Sequence, residues 1–386
     1  MTPGRLRVGL VGTGLIAQVM HLHYLAELAD RFEVAAVCDI VGDSARACAE
    51  RYRIPAVFTD WRELIRQPLD AVMILTSGSH APIAVAAAQA GRHVFVEKPM
   101  CFSTGEGRAM VAAAGQAGVV LMVGYPKRYD PAFARFAEEA GQLAGGGPGD
   151  QTGRAGRARL LRVTTLESPL RPYTGHYPLL PRAPAPDEVT RRLQTETEER
   201  VRSAIGQASP LERHVYELVL LDTLVHELNT VRGLLGEPDR LEYVSLAEQA
   251  VTVMLRFGGL PAAIHWIDLP GIARYAMEFA LYGPDRRLTL TFPSPFLRNE
   301  PAVLAVEGGE AGTARSWRTE ETISYGSGFK NELIAFHDSA VSGAAPVTSG
   351  RDGLRDIALC QAIIESHRKG GPVDDPAAPG GEGTAT

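Results

Sequence analysis

The sequence predicts an α/β domain built on a parallel sheet, followed by an α+β domain with a large, mostly antiparallel open sheet. Three observations predict this. Apolar, strand-like runs alternate with helical stretches from residue 6 to 123. That rhythm implies crossover connections, and so a parallel sheet covered on both faces. The first run ends in Gly12-Thr13-Gly14-Leu15-Ile16-Ala17, with a helical pattern behind it. From about residue 240 several runs alternate polar with apolar residues, as a one-sided sheet does.

The first strand is expected at 6–11. Gly12 permits the sharp turn out of it, and Gly14, lacking a Cβ, lets the backbone approach a pyrophosphate. Ala17 is small enough for the helix to lie close on the strand. The helix opens at Leu15 and Ile16, where free N–H groups and a partial positive charge suit phosphates. The alternative is a glycine turn that merely packs helix on sheet. The next strand, 34–38, ends in Asp39, which is 39 − 17 = 22 residues past Ala17. A carboxylate there can accept hydrogen bonds from both ribose hydroxyls. It also repels a 2′-phosphate, which favours NAD, although Arg46 is close enough in sequence to keep NADP possible.

Three more strands are expected at 71–76, 93–97 and 119–123, with helices at 15–30, 43–53, 60–66, 80–91 and 104–118. Right-handed crossovers place all strand C-termini on one edge, where ligands of such sheets bind. Gly12, Asp39, the stretch Thr76-Ser77-Gly78-Ser79-His80 and Glu97-Lys98-Pro99 should therefore converge. The 76–80 stretch reads either as a helix cap or as a wall of a nicotinamide pocket. A lysine at the end of a buried strand needs a cleft or an acid partner. Lys98 is thus a candidate active-site residue; the alternative is a surface ion pair with Glu97.

Past residue 125 a helix is expected at 131–143, then a Gly-rich linker, 144–156, and a strand, 158–167. Residues 168–212 fit no regular core, and 186–205 read as a charged, exposed helix. Arg171, Tyr173, His176 and Tyr177 line either a substrate cleft or an ordered surface loop. The apolar helix 218–236 carries Asp222 and His226, four apart and so on one face. Such a pair suits proton abstraction from a hydroxyl. By itself it also fits a buried ion pair, or two of three metal ligands. No third ligand is spaced to complete a metal site, so none is expected. The second sheet is expected at 240–248, 251–257, 261–268, 275–283, 286–292 and 301–306, closed by helices at 328–342 and 352–368. The tail from Gly370 reads as disordered. The expected domains are 1–124, then 125–369 with a long insertion at 144–212, then the tail.

Composition narrows the partners. The chain has 386 residues, 45% hydrophobic and 22% charged, with a formal net charge of −6. This disfavours nucleic acid and anionic lipid. Its four cysteines are scattered without a CxxC pair, as in a reduced, cytoplasmic protein. No apolar run approaches the ~20 residues of a membrane span.

The fingerprint, the Asp39 strand end and above all Glu97-Lys98-Pro99 resemble the glucose-fructose oxidoreductase / inositol dehydrogenase / rhizopine-catabolism (Gfo/Idh/MocA) family. Gly124-Tyr125-Pro126-Lys127-Arg128-Tyr129-Asp130-Pro131 is similar to the family's Gly-x-x-x-Arg-aromatic-x-Pro crossing into its second domain. The sequence departs at Thr76-Ser77-Gly78, where the family usually has Thr-Pro-Asn, and His80 comes one residue sooner. The resemblance implies a Rossmann N-terminal domain, a cis Lys98–Pro99 peptide, and Asp222 and His226 as the catalytic pair beside Lys98. It implies an NAD(P)-dependent oxidoreductase acting on a secondary alcohol or ketone of a sugar, cyclitol or similar polyol. His226 would take the hydroxyl proton, Asp222 would orient and charge His226, and Lys98 would stabilise the developing charge. The cofactor contacts expected are Gly12, Gly14, Leu15, Ile16, Asp39, Thr76, Ser77, His80, Glu97, Lys98 and Arg128. The substrate contacts expected are Lys98, Tyr125, Arg171, Tyr173, His176 and His226. A homo-oligomer, dimer or tetramer, through the C-terminal sheet is expected. Relatives also suggest an NAD-retaining glycoside hydrolase or lyase, or a non-catalytic regulator; the latter should have lost Lys98 or His226.

Overall fold

A computed structural model describes residues 4–144, 158–181 and 183–379. The N-terminal sheet holds β1 (Leu6–Val11), β2 (Phe32–Cys38), β3 (Ala56–Phe58), β4 (Ala71–Ile74), β5 (His93–Glu97) and β6 (Leu121–Gly124). Their order is β3-β2-β1-β4-β5-β6, and every pairing is parallel. The strands are apolar on both faces because helices cover both: Val8, Leu10, Val72, Ile74, Val94 and Val96 are fully buried. The order reverses between β1 and β4, which opens a crevice at the strands' C-terminal edge. The sequence does not announce β3. It has three residues, too few for a period to register.

The second sheet has nine strands: β7 (Leu160–Glu167), β8 (Arg240–Ala247), β9 (Ala250–Phe257), β10 (Leu260–Asp268), β11 (Ala276–Tyr282), β12 (Arg286–Phe292), β13 (Val303–Gly309), β14 (Ser316–Thr322) and β15 (Val373–Asp374). The order is β14-β13-β12-β11-β7-β10-β9-β8-β15. All pairings are antiparallel except β7 with β10. Alternation buries Val251, Val253, Leu255 and Phe257 of β9 on one face. The expectation of a disordered tail is corrected for its first part. Val373 pairs with Leu241, Asp374 with Arg240, and Ala377 is buried. A short polar segment finds order there because an open sheet edge offers unpaired backbone groups. Residues 380–386, and the linker from 145 onward, lie outside the described residues.

The two closing helices tie the halves together. Gly328–Ser342 lays Phe329, Leu333 and Phe336 into the core formed by Leu10, Met20 and Phe95. Gly350–Lys369 packs against Thr104–Ala117 on one side and Val225–Leu235 on the other. The helix Asp187–Ile205 is mostly exposed, as its charges suggest, but its end does join the core. Val201 and Ile205 are buried, and Arg368 donates to the Ile205 carbonyl at 2.5 Å. Among the described residues no helix is long and apolar enough to cross a membrane.

Candidate active site

The glycine turn is built as the fingerprint requires. Gly12 has φ +103°, and a Cβ there would stand 2.8 Å from the backbone of Leu75 and Thr76. Only glycine fits so close to β4. Gly14, Leu15 and Ile16 keep part of their surface open, while Ala17 is fully buried. Asp39 differs from expectation in its orientation. It is buried, and its Oδ2 accepts the Thr13 N–H at 2.8 Å and the Thr13 hydroxyl at 2.7 Å, while Oδ1 accepts the Val41 N–H at 2.9 Å. The carboxylate first holds the glycine turn to the β2 end. The fit to a dinucleotide therefore rests on the Cβ-free cradle and the open helix start.

At the end of β5 the Lys98–Pro99 peptide is cis. Lys98 reaches across to the second domain, its Nζ 2.9 Å from Asp222 Oδ1 and 2.5 Å from the Asp222 carbonyl. Asp222 lies in Val215–Leu224, a segment with π-helical, i→i+5 turns that runs directly into the helix Val225–Leu235. Lys98, Asp222 and His226 are thus brought together, but not as the sequence suggested. Asp222 is bonded to Lys98, is 62% exposed, and makes no hydrogen bond to His226. The ammonium, a full positive charge, takes the carboxylate.

His226 lies instead in a cationic, desolvated corner. Its Nδ1 is buried without a hydrogen-bond partner, and Tyr125 stands edge-on at 6.0 Å. Burial, then the charges of Lys127 and Lys98, hold the imidazole pKa well below 6.5. Two residues missed by the sequence reasoning shape this corner. Lys127 is buried, and desolvation lowers its pKa against the opposing pull of Glu227. Glu227 is fully buried, receives the Thr165 hydroxyl on Oε1, and leaves Oε2 unpartnered. Burial pushes its pKa up to about 7. A lysine before the family arginine and a glutamate after the histidine were the available signals. Neither spacing shows that they face each other.

Several expected contacts are corrected. His80 is fully buried; its ring nitrogens stand 2.8 Å from the Pro99 carbonyl and 2.7 Å from the Thr76 carbonyl, so it joins two loops rather than facing the crevice. Thr76 and Ser77 remain partly or fully exposed at the edge. Glu97 turns inward to His21. Arg128 donates to the Asn229 carbonyl and side chain at 3.1 and 3.2 Å, and is only 10% exposed. Tyr125 is buried, so its hydroxyl does not reach the crevice. Arg171 and His176 are exposed, with His176 stacked on Tyr177 at 4.1 Å. The Tyr173 hydroxyl accepts the Tyr275 N–H at 2.6 Å, and Tyr275 is close enough to Glu227 and Glu167 to feel their charge. The strip after Tyr177 also touches the first helix, where Gln18 accepts the Leu180 N–H at 2.8 Å.

Comparison with known proteins agrees with this architecture. The model of the Gfo/Idh/MocA oxidoreductases' NAD-binding Rossmann fold matches residues 6–125, and that of their C-terminal α/β domain matches residues 218–374. The myo-inositol 2-dehydrogenase of Thermotoga maritima is 25% identical over 374 residues, 94% of this chain and 96% of that one. Inositol 2-dehydrogenase 3 of Saccharopolyspora erythraea is 26% identical over 378 residues, 94% of each. The structure of a levoglucosan dehydrogenase with NADH and levoglucosan superposes with a TM-score of 0.73 at 22% identity, over 97% of this chain and 100% of that one. The two models together span well over half of the chain, which belongs to the Gfo/Idh/MocA family of NAD-binding oxidoreductases.

Proposed function

We propose that the protein oxidises a secondary alcohol of a sugar, cyclitol or related polyol, or reduces the matching ketone, with NAD as cofactor. The observation that carries this reading is Lys98 of one domain reaching the Asp222–His226 helix of the other, beside a Cβ-free glycine cradle. The nicotinamide, when bound, takes up or returns the hydride. The chain supplies the rest. His226, kept neutral by burial and two nearby ammonium groups, accepts the hydroxyl proton. Lys98 donates a hydrogen bond to the reacting oxygen as negative charge gathers there. Asp222 positions the Lys98 ammonium. Gly12, Gly14 and the start of the helix behind them would hold the pyrophosphate, and the exposed Thr76 and Ser77 would border the nicotinamide.

The inositol and levoglucosan relatives favour a ring polyol. Four buried, unpaired cysteines fit a reducing cytoplasm. A homo-oligomer through the nine-stranded sheet is the proposed assembly; what supports it is the mixed charge of a face where Arg162, Glu278, Arg287, Glu307, Arg318 and Glu320 line a shallow depression. The test is direct. NADH and NADPH are titrated by fluorescence, and NAD reduction is screened over myo-inositol, levoglucosan, apiose and common aldoses. Tighter binding of NADH and turnover of a ring polyol support the reading. Failure of both cofactors to bind below millimolar overturns it.

A further inference from the structure

Behind Lys98, three buried side chains from three distant elements meet. His21 comes from the π-helical turn Ala17–His21, Glu97 is the last residue of β5, and Glu332 lies on Gly328–Ser342. The His21 Nε2–H donates to Glu97 Oε1 at 2.6 Å. Glu97 Oε2 accepts the backbone N–H of Lys98 at 3.1 Å. One oxygen of this carboxylate thus grips the first helix and the other grips the main chain of Lys98. The ring of His21 is fully buried, edge-on to Phe95 at 5.4 Å and Phe329 at 5.9 Å, so it has nowhere to turn.

We propose that Glu97 is the positioning residue for Lys98: its carboxylate, anchored by His21 and walled in by Glu332, fixes the main chain from which the lysine reaches the reacting oxygen. This rests on the reading above, in which Lys98 meets substrate. Glu332 does not compete with Glu97 for a donor. It is fully buried with neither oxygen hydrogen-bonded, and burial followed by the charge of Glu97 pushes its carboxyl well above the usual range. The two donors at this site, the His21 ring and the Lys98 N–H, both meet Glu97 and neither meets Glu332. The three groups could also ligate a cation, their ligand atoms lying within 4.8 Å of one another. The 2.6 Å contact argues for a shared hydrogen instead. Two ligands about 2.1 Å from one ion in a tetrahedral array stand roughly 3.4 Å apart.

The test compares variants of the full chain. Glu97→Gln puts an amide N–H against one of the two donors. It should lower kcat by about 100-fold, the cost of an ångström-scale misplacement of a reacting group. The NADH Kd and the substrate KM should move by no more than about three-fold. His21→Gln, which keeps an N–H for Glu97, should retain about ten times the kcat of His21→Leu. Glu332→Gln, a mimic of the protonated acid, should cost no more than about three-fold. An independent readout needs no turnover: in the reductively 13C-methylated protein, the Lys98 resonance, assigned with Lys98→Arg, should shift in Glu97→Gln. An unmoved Lys98 resonance in Glu97→Gln overturns the inference, whether or not a polyol is turned over. So does wild-type kcat in that variant, or one equivalent of zinc or manganese in the purified protein. A wild type that binds NADH but oxidises no polyol would instead count against the proposed reaction alone.

Discussion

His226 shows how a residue's chemistry is set by what folds against it. Four positions separate it from Asp222, yet what acts on its ring is burial and then the charges of Lys127 and Lys98, all of which disfavour the imidazolium. A neutral ring is the form that accepts a proton, so the lowered pKa suits the base role proposed for His226. The acid limb of kcat/KM against pH should lie below 6.5. Lys127→Met removes a cation that destabilises the imidazolium, so it should move that limb to higher pH; a limb that stays or moves down refutes this electrostatic account. His226→Ala should cut kcat by about 10²–10⁴, the usual worth of a positioned base, as read from NADH formation on the best polyol. Glu227 makes a linked prediction for stability. Its folded pKa, pushed up to about 7 by burial, stands above a glutamate's ordinary 4.5. The raised value means that its contribution is fully present below the unfolded pKa and is lost as pH rises through 7. Glu227→Gln should therefore flatten the decline, gaining up to about 3 kcal/mol over wild type at pH 8 relative to pH 5, measured by urea unfolding. At this scale the meeting of Lys98 with the helix of His226 was legible, because a lysine at the end of a buried strand needs a cleft or an acid partner. Asp222 was legible as a participant but not by its partner. Lys127 and Glu227 were not legible, since a charged residue reads as surface until its burial is known.

The elements that carry the site owe their placement to a few internal contacts. The helix Val225–Leu235 is locked to Gly350–Lys369 by Arg232, which is 1% exposed and bonded to Asp356, Asp352 and Glu237. Arg232→Met leaves the fully buried Asp356 without its cation. It should cost about 3–5 kcal/mol, partly restored by adding Asp356→Asn. Equal stabilities of the single and double variants would show that the pair is not coupled. At the other side of the crevice, Gly12→Ala forces a Cβ into the Leu75–Thr76 backbone at a left-handed φ. The strain is of order 1–3 kcal/mol, and thermal melting should detect it together with weaker NADH binding. Long apolar runs and helical periods made most elements legible, including β1, β5 and the helix Asp187–Ile205. The three strands that escaped, β3, β14 and β15, are short or polar. Their order comes from backbone pairing to a neighbour, which leaves no pattern in side-chain polarity.

At the level of the whole molecule, the reaction proposed here needs the two domains held in one relation. Lys98 meets Asp222 across the crevice, and Gly328–Ser342 returns from the second domain to complete the core of the first. The outer face of the nine-stranded sheet carries interleaved charges of both signs, which suits self-association of a sheet against its copy. If the proposed homo-oligomer forms through this face, Arg162→Glu combined with Arg318→Glu should lower the mass read by light scattering to that of one chain, and salt should act in the same direction on wild type. An unchanged mass in both conditions would place the interface elsewhere. What the sequence determined by itself was whatever depends on neighbours along the chain: the parallel and antiparallel sheets, the glycine turn, the Lys-Pro strand end and the helix bearing Asp222 and His226. Only the tertiary structure decided that Asp222 serves Lys98, that His226 is left among cations, and that residues 21, 97 and 332 share one buried site. The physical reason is that local backbone preference and periodicity act over a few residues. Desolvation and charge pairing act through space, between groups whose separation along the chain says nothing of their distance.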